Sequence, residues 1–206
     1  MKSYSQFGQD VEIVKLYKHK RNGFFLEIGA SDGKELSNTY LLETNYDWKG
    51  ICVEPIPYRF ADLVRNRPRS KCSDRAVFHT SGLDVVFAIA NNGDGLSGIQ
   101  DTIDCHKALV DANKTEIVVK TITLKDLLDT LGAPAYIDYL SLDTEGSEYE
   151  ILKGFDFQKY RFGYIDVEHN FVEPRRTQIR ELLTSNGYEY MRENSVDDCY
   201  KFTVVK

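Results

Sequence analysis

Glycine, carboxylate and amide residues recur in this chain at the ends of short apolar runs, where a strand-to-helix turn can present them to a ligand. The first such segment is Phe24-Phe25-Leu26-Glu27-Ile28-Gly29-Ala30-Ser31-Asp32-Gly33. Gly29 and Gly33 permit a tight turn that brings backbone close to a ligand, and Glu27 places a negative charge beside it. Taken alone, such a turn is either a ligand cradle or only a turn. The dinucleotide fingerprint G-x-G-x-x-G would need glycine where Ser31 and Lys34 stand, which disfavours a pyrophosphate. An acidic strand end suits a cationic ligand, and the sulfonium and ammonium of S-adenosyl-L-methionine are of that kind. Roughly twenty residues further on, Glu54 ends the next apolar run, followed by Pro55, where an acid can accept both hydroxyls of a ribose. Ser73-Asp74-Arg75-Ala76, at a third strand end, either meets an adenine amino group or simply turns the chain.

Two later segments carry the reactive groups: Leu142-Asp143-Thr144-Glu145-Gly146-Ser147-Glu148 and Asp166-Val167-Glu168-His169-Asn170. An alcohol is a poor nucleophile at neutral pH, so its alkylation needs a positioned base, a metal that lowers its pKa, or both. Asp143, Glu168, His169 and Asn170 can serve either purpose. Oxygen-rich ligation suits Mg²⁺ or Mn²⁺, with His169 as a ligand or as the base. The plainer alternative is that Asp143 and Glu168 cap the helices that follow them. His19, His79 and His106 have no acidic or cysteine partner at useful spacing and are assigned to the surface.

These groups need a scaffold that brings strand ends together, and the hydrophobic pattern provides one. Apolar runs at 24–28 and 50–54 flank a helix-like stretch at 35–44, which makes one βαβ unit. An amphipathic helix at 58–65 and a short strand at 71–77 follow. Strands at 84–90 and 115–122 enclose a polar, glycine-rich stretch, 91–114, read as an insertion on the acceptor side. The βα rhythm resumes with a helix at 124–131, a strand at 137–142, a helix at 147–154, a strand at 164–168 and a helix at 173–185. Two strand-like runs, 188–193 and 199–205, close the chain. The pattern predicts an α/β, doubly wound and mostly parallel sheet with an antiparallel C-terminal strand and helices on both faces. Ligands of such sheets bind at the carboxyl ends of the strands.

Bulk properties agree with a single domain over 1–206, with a helical N-terminal segment at 1–22. The 206 residues are 42% hydrophobic and 28% charged, enough for one sizeable core. No run approaches the roughly 20 apolar residues of a membrane span, and the N-terminus lacks a signal-peptide stretch, so a cytoplasmic protein is expected. Cys52, Cys72, Cys105 and Cys199 form no zinc or disulfide pattern. A net charge of −6 argues against a nucleic-acid partner. The basic clusters at 15–21 and 65–71 are expected to be solvated helix ends.

Several blocks together resemble the FkbM family of methyltransferases. They are Ser5-Gln6-Phe7-Gly8-Gln9-Asp10, Phe25-Leu26-Glu27-Ile28-Gly29-Ala30-Ser31-Asp32-Gly33, Ser37-Asn38-Thr39, Trp48-Lys49-Gly50-Ile51-Cys52-Val53-Glu54-Pro55, Leu96-Ser97-Gly98, Ser141-Leu142-Asp143-Thr144-Glu145-Gly146 and Val167-Glu168-His169-Asn170. The resemblance implies a class I methyltransferase sheet with S-adenosylmethionine at the first two strand ends. It further implies methyl transfer to hydroxyls of sugars or polyketide-like metabolites; the expected acceptor is a sugar, glycan or glycosylated metabolite, with association with, or fusion to, a glycosyltransferase among the possible partners. The paired acids also look like those of catechol O-methyltransferase, whose metal is held after the fourth and fifth strands. By that similarity Asp143, Glu168 and His169 are the metal positions, with Asn170 in reach. That enzyme's catalytic lysine has no match at Thr144, Glu145 or Gly146, which leaves the base to His169 ahead of Glu145. Two other classes stay in view. A nucleic-acid base methyltransferase is disfavoured because Leu142-Asp143-Thr144-Glu145 lacks the Asn/Asp-Pro-Pro-aromatic pattern, and the third possibility is a non-catalytic binding module on the same fold.

Overall fold

The runs at Phe24–Ile28, Lys49–Val53 and Tyr136–Leu142 are buried along nearly their whole length, as strands covered by helices on both faces must be. The computed structural model describes residues 1–203, apart from the side chain of Asp94. In chain order the first half contains α1 (Gln9–Leu16), β1 (Phe24–Ile28), α2 (Tyr40–Tyr46), β2 (Lys49–Val53), α3 (Pro57–Asn66) and β3 (Lys71–Ser73). Next come β4 (Ala76–Val77), β5 (Asp84–Ala90), a 3-10 turn (Asp94–Leu96), β6 (Gly98–Ile99), α4 (Lys107–Ala112) and β7 (Lys114–Ile122). The rest is α5 (Leu124–Thr130), β8 (Tyr136–Leu142), α6 (Glu148–Leu152), β9 (Arg161–Glu168), α7 (Arg175–Ser185), β10 (Tyr188–Asn194) and β11 (Asp197–Phe202).

The main sheet has the order β10-β11-β9-β8-β1-β2-β3. Its strands are parallel except β11, which runs antiparallel to both β9 and β10. Strand order reverses at β1, whose neighbours are β2 on one side and β8 on the other. That is the switch point at which doubly wound sheets bind ligands. One face packs Leu26, Ile51, Leu140 and Ile165 against α5, α6 and α7 residues. The other packs Phe25, Cys52, Tyr139 and Tyr164 against Ile13 and Val14 of α1 and Leu41 and Leu42 of α2. Gly50 is required in β2 because a Cβ there would lie 2.2 Å from the Phe25 ring.

The structure departs from the sequence pattern in four places. The helix expected at 35–44 starts later, at Tyr40, because Ser37 and the Asn38 amide are drawn into hydrogen bonds with the Glu27 carboxylate. The strand expected at 71–77 is two strands in two sheets: β3 pairs with β2, whereas β4 pairs with β7. The strands flanking the insertion do not join the main sheet. They form a second one, of order β4-β7-β5-β6, in which β5 and β7 pair along seven residues. The stretch 91–114 is not featureless but carries the 3-10 turn, β6 and α4. Of the strand expected at 199–205, Val204 and Val205 lie outside the described residues.

One basic cluster also behaves differently from expectation. Lys15 ends α1 and Arg65 ends α3, as helix-terminal cations should. Arg67, however, is 1% exposed. Its guanidinium donates to Glu43 at 2.7 Å, Thr39 Oγ1 at 2.8 Å, and Glu27 and the Gly33 carbonyl at 3.1 Å each. A buried arginine survives only when its donors are met in this way. It ties β1, the loop after it, α2 and α3 into one support beneath the first strand-end turn.

Candidate active site

The parallel register lines up polar residues across one face of the sheet. Glu27 pairs with Ser141, Ser141 with Asp166, and Asp166 with Cys199. Alternate residues of a strand share a face, so Glu168 lies one step further along β9 than Asp166, opposite Asp197 of β11. The row beyond the strand ends therefore brings Gly29, Asp143, Glu168 and Asp197 to one crevice.

The turn after β1 is pinned to the turn after β8. Gly29 has φ +85° and a Cβ there would meet the Asp143 carbonyl at 2.0 Å, so only glycine fits. The Gly29 and Ala30 amides donate to the Val53 carbonyl, and the Asp143 amide donates to that of Ile28. Glu54 bridges two turns: its carboxylate accepts from the Ser31 amide at 2.9 Å and the Ile56 amide at 2.8 Å.

Above these turns lies a cavity of about 480 Å³, a size usual for small-molecule sites. Gly29, Ser31, Glu54, Pro55, Ala76 and Asp143 line it, and so do Glu145, Glu168 and Asn170. The N-terminal segment covers it with Gln6, Phe7 and Gln9, and the second sheet supplies Phe87, Leu96, Ser97 and Ile99. The Ser5–Asp10 block has a physical reason. Asp10 is fully buried and accepts from Ser3 Oγ, Ser5 Oγ and the Tyr4 amide, folding the N-terminus onto the crevice. Gln9 then reaches Asp197, donating from Nε2 at 2.8 Å.

Five of the residues singled out from sequence stand elsewhere. Glu27 points beneath the turn, where Ser37, Thr39, the Asn38 amide and Arg67 occupy its carboxylate. Its charge holds the loop instead of facing a ligand. Gly33 packs on Leu63 and Arg67. Asp74 and Arg75 border a shallower depression with Phe60 and Lys120, on the far side of Pro55. His169 is buried and turned away from the crevice: its Nδ1 accepts from the Phe171 amide, and its Nε2 lies 3.5 Å from Asp198. Burial lowers its pKa, with Asp198 opposing. Asp198 and Glu193 beside it are already neutralised by Arg176, and Asp198 also by Arg180. His169 is therefore placed neither as the base nor as a third ligand beside Asp143 and Glu168.

Glu145 stands beside Asp143 and Glu168 instead. Asp143, Glu145 and Glu168 each offer a carboxylate oxygen, and the three atoms lie within 4.8 Å of one another. Burial, followed by the charges of Asp197 and Glu148, pushes Asp143 up to about 7. Burial and then Asp143 push Glu145 up to about 9, and burial with Asp143 and Glu145 drives Glu168 well above the carboxylate range. Neither Asp143 nor Glu168 caps a helix. Glu148, the first residue of α6, instead accepts from the Thr144 and Gly146 amides of the loop before it.

Among the lining residues that sequence reasoning left without a role are Asp166, Asp197 and His106. Asp166 had a usable signal, an acid at the centre of the apolar run Tyr164-Ile165-Asp166-Val167. Asp197 and His106 had none, since chain folding over long separations brings them in.

An open sheet of this order, with a glycine turn, an acid closing the second strand and a crevice at the switch point, defines the class I methyltransferase fold. Solved structures of the same architecture include a precorrin-6y C5,15-methyltransferase from Geobacter metallireducens GS-15, at TM-score 0.51 and 11% identity, covering 94% of this chain and 87% of that one. The METTL16 methyltransferase domain aligns at 0.51 and 12% identity over 95% and 81%, and a human methyltransferase 10 domain containing protein at 0.50 and 10% over 96% and 83%. These likenesses are of fold. Residues 27–190 match the family model described as the methyltransferase FkbM domain, and the chain belongs to that family. S-adenosylmethionine is the cofactor of this methyltransferase family and fold. No curated protein matches the chain. Among the described residues, no helix is long and apolar enough to cross a membrane.

Proposed function

We propose that the chain is an S-adenosylmethionine-dependent O-methyltransferase acting on a hydroxyl of a sugar, glycan or glycosylated metabolite. The observation that carries this is the meeting of Asp143, Glu145 and Glu168 with the Gly29 turn in one cavity. The donor supplies an electrophilic methyl group when bound. Gly29 and Ser31 would let backbone approach it, Glu54 would accept its ribose hydroxyls, and Ala76 and Ile56 would border its base. Asp143 stands where the donor and acceptor halves join.

The residues present fit a divalent cation. Three carboxylates converge, their oxygens suit Mg²⁺ or Mn²⁺, and Glu168 Oε2 is buried without a hydrogen-bond partner. Asp143, Glu145 and Glu168 would hold the ion, with Asn170 beside Glu145. Such an ion lowers the pKa of a hydroxyl placed on it. With His169 turned away, Glu145 is the remaining group for the hydroxyl proton, which it can accept only once ionised, a form that burial disfavours and a cation beside it would favour. The remainder of catalysis is positioning.

A polyanionic acceptor suits this cavity poorly. Asp143, Glu145, Asp166, Glu168 and Asp197 line its acceptor side, whereas Arg59 is the sole lining lysine or arginine among the described residues. Phosphate binding needs the opposite balance.

The test is transfer of isotopically labelled methyl from the donor to a panel of sugars and glycosides, with and without Mg²⁺, Mn²⁺ or chelator. Labelled methyl ethers are expected, with Asp143→Asn and Glu168→Gln each losing at least about 100-fold in rate, the scale of a lost positioned base or charge. Full turnover in both variants would remove the site assignment. Label on nitrogen or on nucleic acid alone would remove the hydroxyl acceptor.

A further inference from the structure

Two acids in the cavity take no part in the reaction derived above. Asp166 is 4% exposed and Asp197 7%, and they come from neighbouring antiparallel strands. Asp166 lies opposite Cys199 and Asp197 opposite Glu168, so the pair is diagonal, about 7–8 Å apart along the ladder. Each is anchored by one neutral donor. Tyr139 OH donates to Asp166 Oδ2 at 2.7 Å, and Gln9 Nε2 donates to Asp197 Oδ2 at 2.8 Å. Asp166 Oδ1 is buried and has no hydrogen-bond partner, and its strand neighbour Cys199 offers only a weak S–H donor. Among the described residues neither acid has an ion-pair partner, although both face the cavity. Several buried charges elsewhere in the molecule are answered by an ion-pair partner. Arg67 answers Glu27 and Glu43, Arg176 and Arg180 answer Asp198, and Lys20 answers Asp138.

A buried, anchored carboxylate pair without an ion-pair partner either keeps its protons or is matched by a cation, and the cavity lets a ligand bring one. The diagonal spacing is that of the backbone, and side chains reaching inward from diagonal positions can bring one carboxylate oxygen of each towards a single ammonium, which donates at about 2.7–2.9 Å per bond. A guanidinium would need bidentate room that the anchored second oxygens do not leave. A dedicated metal is also a poorer fit, because the three-carboxylate cluster at Asp143, Glu145 and Glu168 offers closer-set ligands one step nearer the opening.

We propose that Asp166 and Asp197 form an ammonium subsite, so that the acceptor is an amino sugar, or a conjugate carrying one, held by its protonated amine while a hydroxyl of the same ring meets Glu145. This deepens the sugar-hydroxyl function proposed above and rests on it. Tyr139 and Gln9 are positioning residues that fix the two carboxylates.

The experiment is calorimetry on the full chain saturated with S-adenosylhomocysteine, titrated with glucosamine, N-acetylglucosamine and glucose. Glucosamine is expected to bind at least ten-fold more tightly than the two neutral sugars. In Asp166→Asn and in Asp197→Asn the preference is expected to fall below three-fold, while the affinity for S-adenosylhomocysteine, which reports an intact fold, is unchanged. Neutral sugars binding as well as glucosamine would overturn the subsite and leave the sugar-hydroxyl function standing. Binding of none of the three would overturn both. An amine preference that survives in both variants would place the ammonium elsewhere and overturn the assignment.

Discussion

At the scale of single residues, the acids of the crevice are held in a state that opposes folding. Glu145 ionises near 4.5 in an unfolded chain but only at about 9 in the fold, and Asp143 moves from 3.8 to about 7. Between those limits the native state keeps protons that the unfolded chain releases, so stability falls as pH rises from about 4 towards 9. Thermal melts are expected to show this decline, and Glu145→Gln, which removes the charge and keeps the shape, is expected to flatten it. The same variant should melt several degrees higher at pH 8 and lose methyl transfer, the usual exchange between stability and a strained site. The place of Asp143 and Glu168 at the crevice was legible from sequence because one follows an apolar strand directly and the other ends one. His169 was not, because its orientation is decided by the Phe171 amide and by Asp198, a residue of another strand.

At the scale of elements, two supports carry the turn after β1. One is the contact of Gly29 with the Asp143 carbonyl. Gly29→Ala combines a Cβ clash at 2.0 Å with a left-handed φ, and calorimetry with S-adenosylhomocysteine is expected to show at least ten-fold weaker binding. The other is Arg67. Arg67→Met would leave Glu27 buried and unanswered and Glu43 with only Arg69, 4.0 Å away, at a cost of about 3–5 kcal/mol, measurable by urea denaturation. A change below about 1 kcal/mol would mean that the guanidinium is dispensable. The βα rhythm made the main-sheet elements readable, since each buried run is bounded by a turn. The start of α2 was misjudged because a tertiary partner, Glu27, competes for Ser37 and Asn38. Asp74 and Arg75 were misplaced for a related reason: the chain leaves the main sheet between Ser73 and Ala76, and that exit has no local signature.

At the scale of the whole molecule, the cavity joins three parts distant in sequence: the strand ends, the N-terminal segment and the second sheet. Ligand binding should therefore stabilise the chain as a unit. At 100 times its Kd, S-adenosylhomocysteine is expected to add about 2.7 kcal/mol, raising the melting temperature by roughly 5–10 °C for a chain of this length. A smaller shift at saturation would show that the ligand also binds unfolded chain or that the fold does not close around it. The second sheet was the least readable part of the architecture. The β5 and β7 runs lie about two dozen residues apart in the chain, and nothing in their alternation says that they pair with each other in preference to the main sheet.

That second sheet hydrogen-bonds within itself and shares no ladder with the main one, yet it contributes Ala76, Phe87, Ile99 and their neighbours to the cavity wall. Wall and floor are consequently held by separate hydrogen-bond networks. Substitutions at Phe87 or Ile99 are expected to reshape the wall while leaving the Gly29 turn, locked against Asp143, in place.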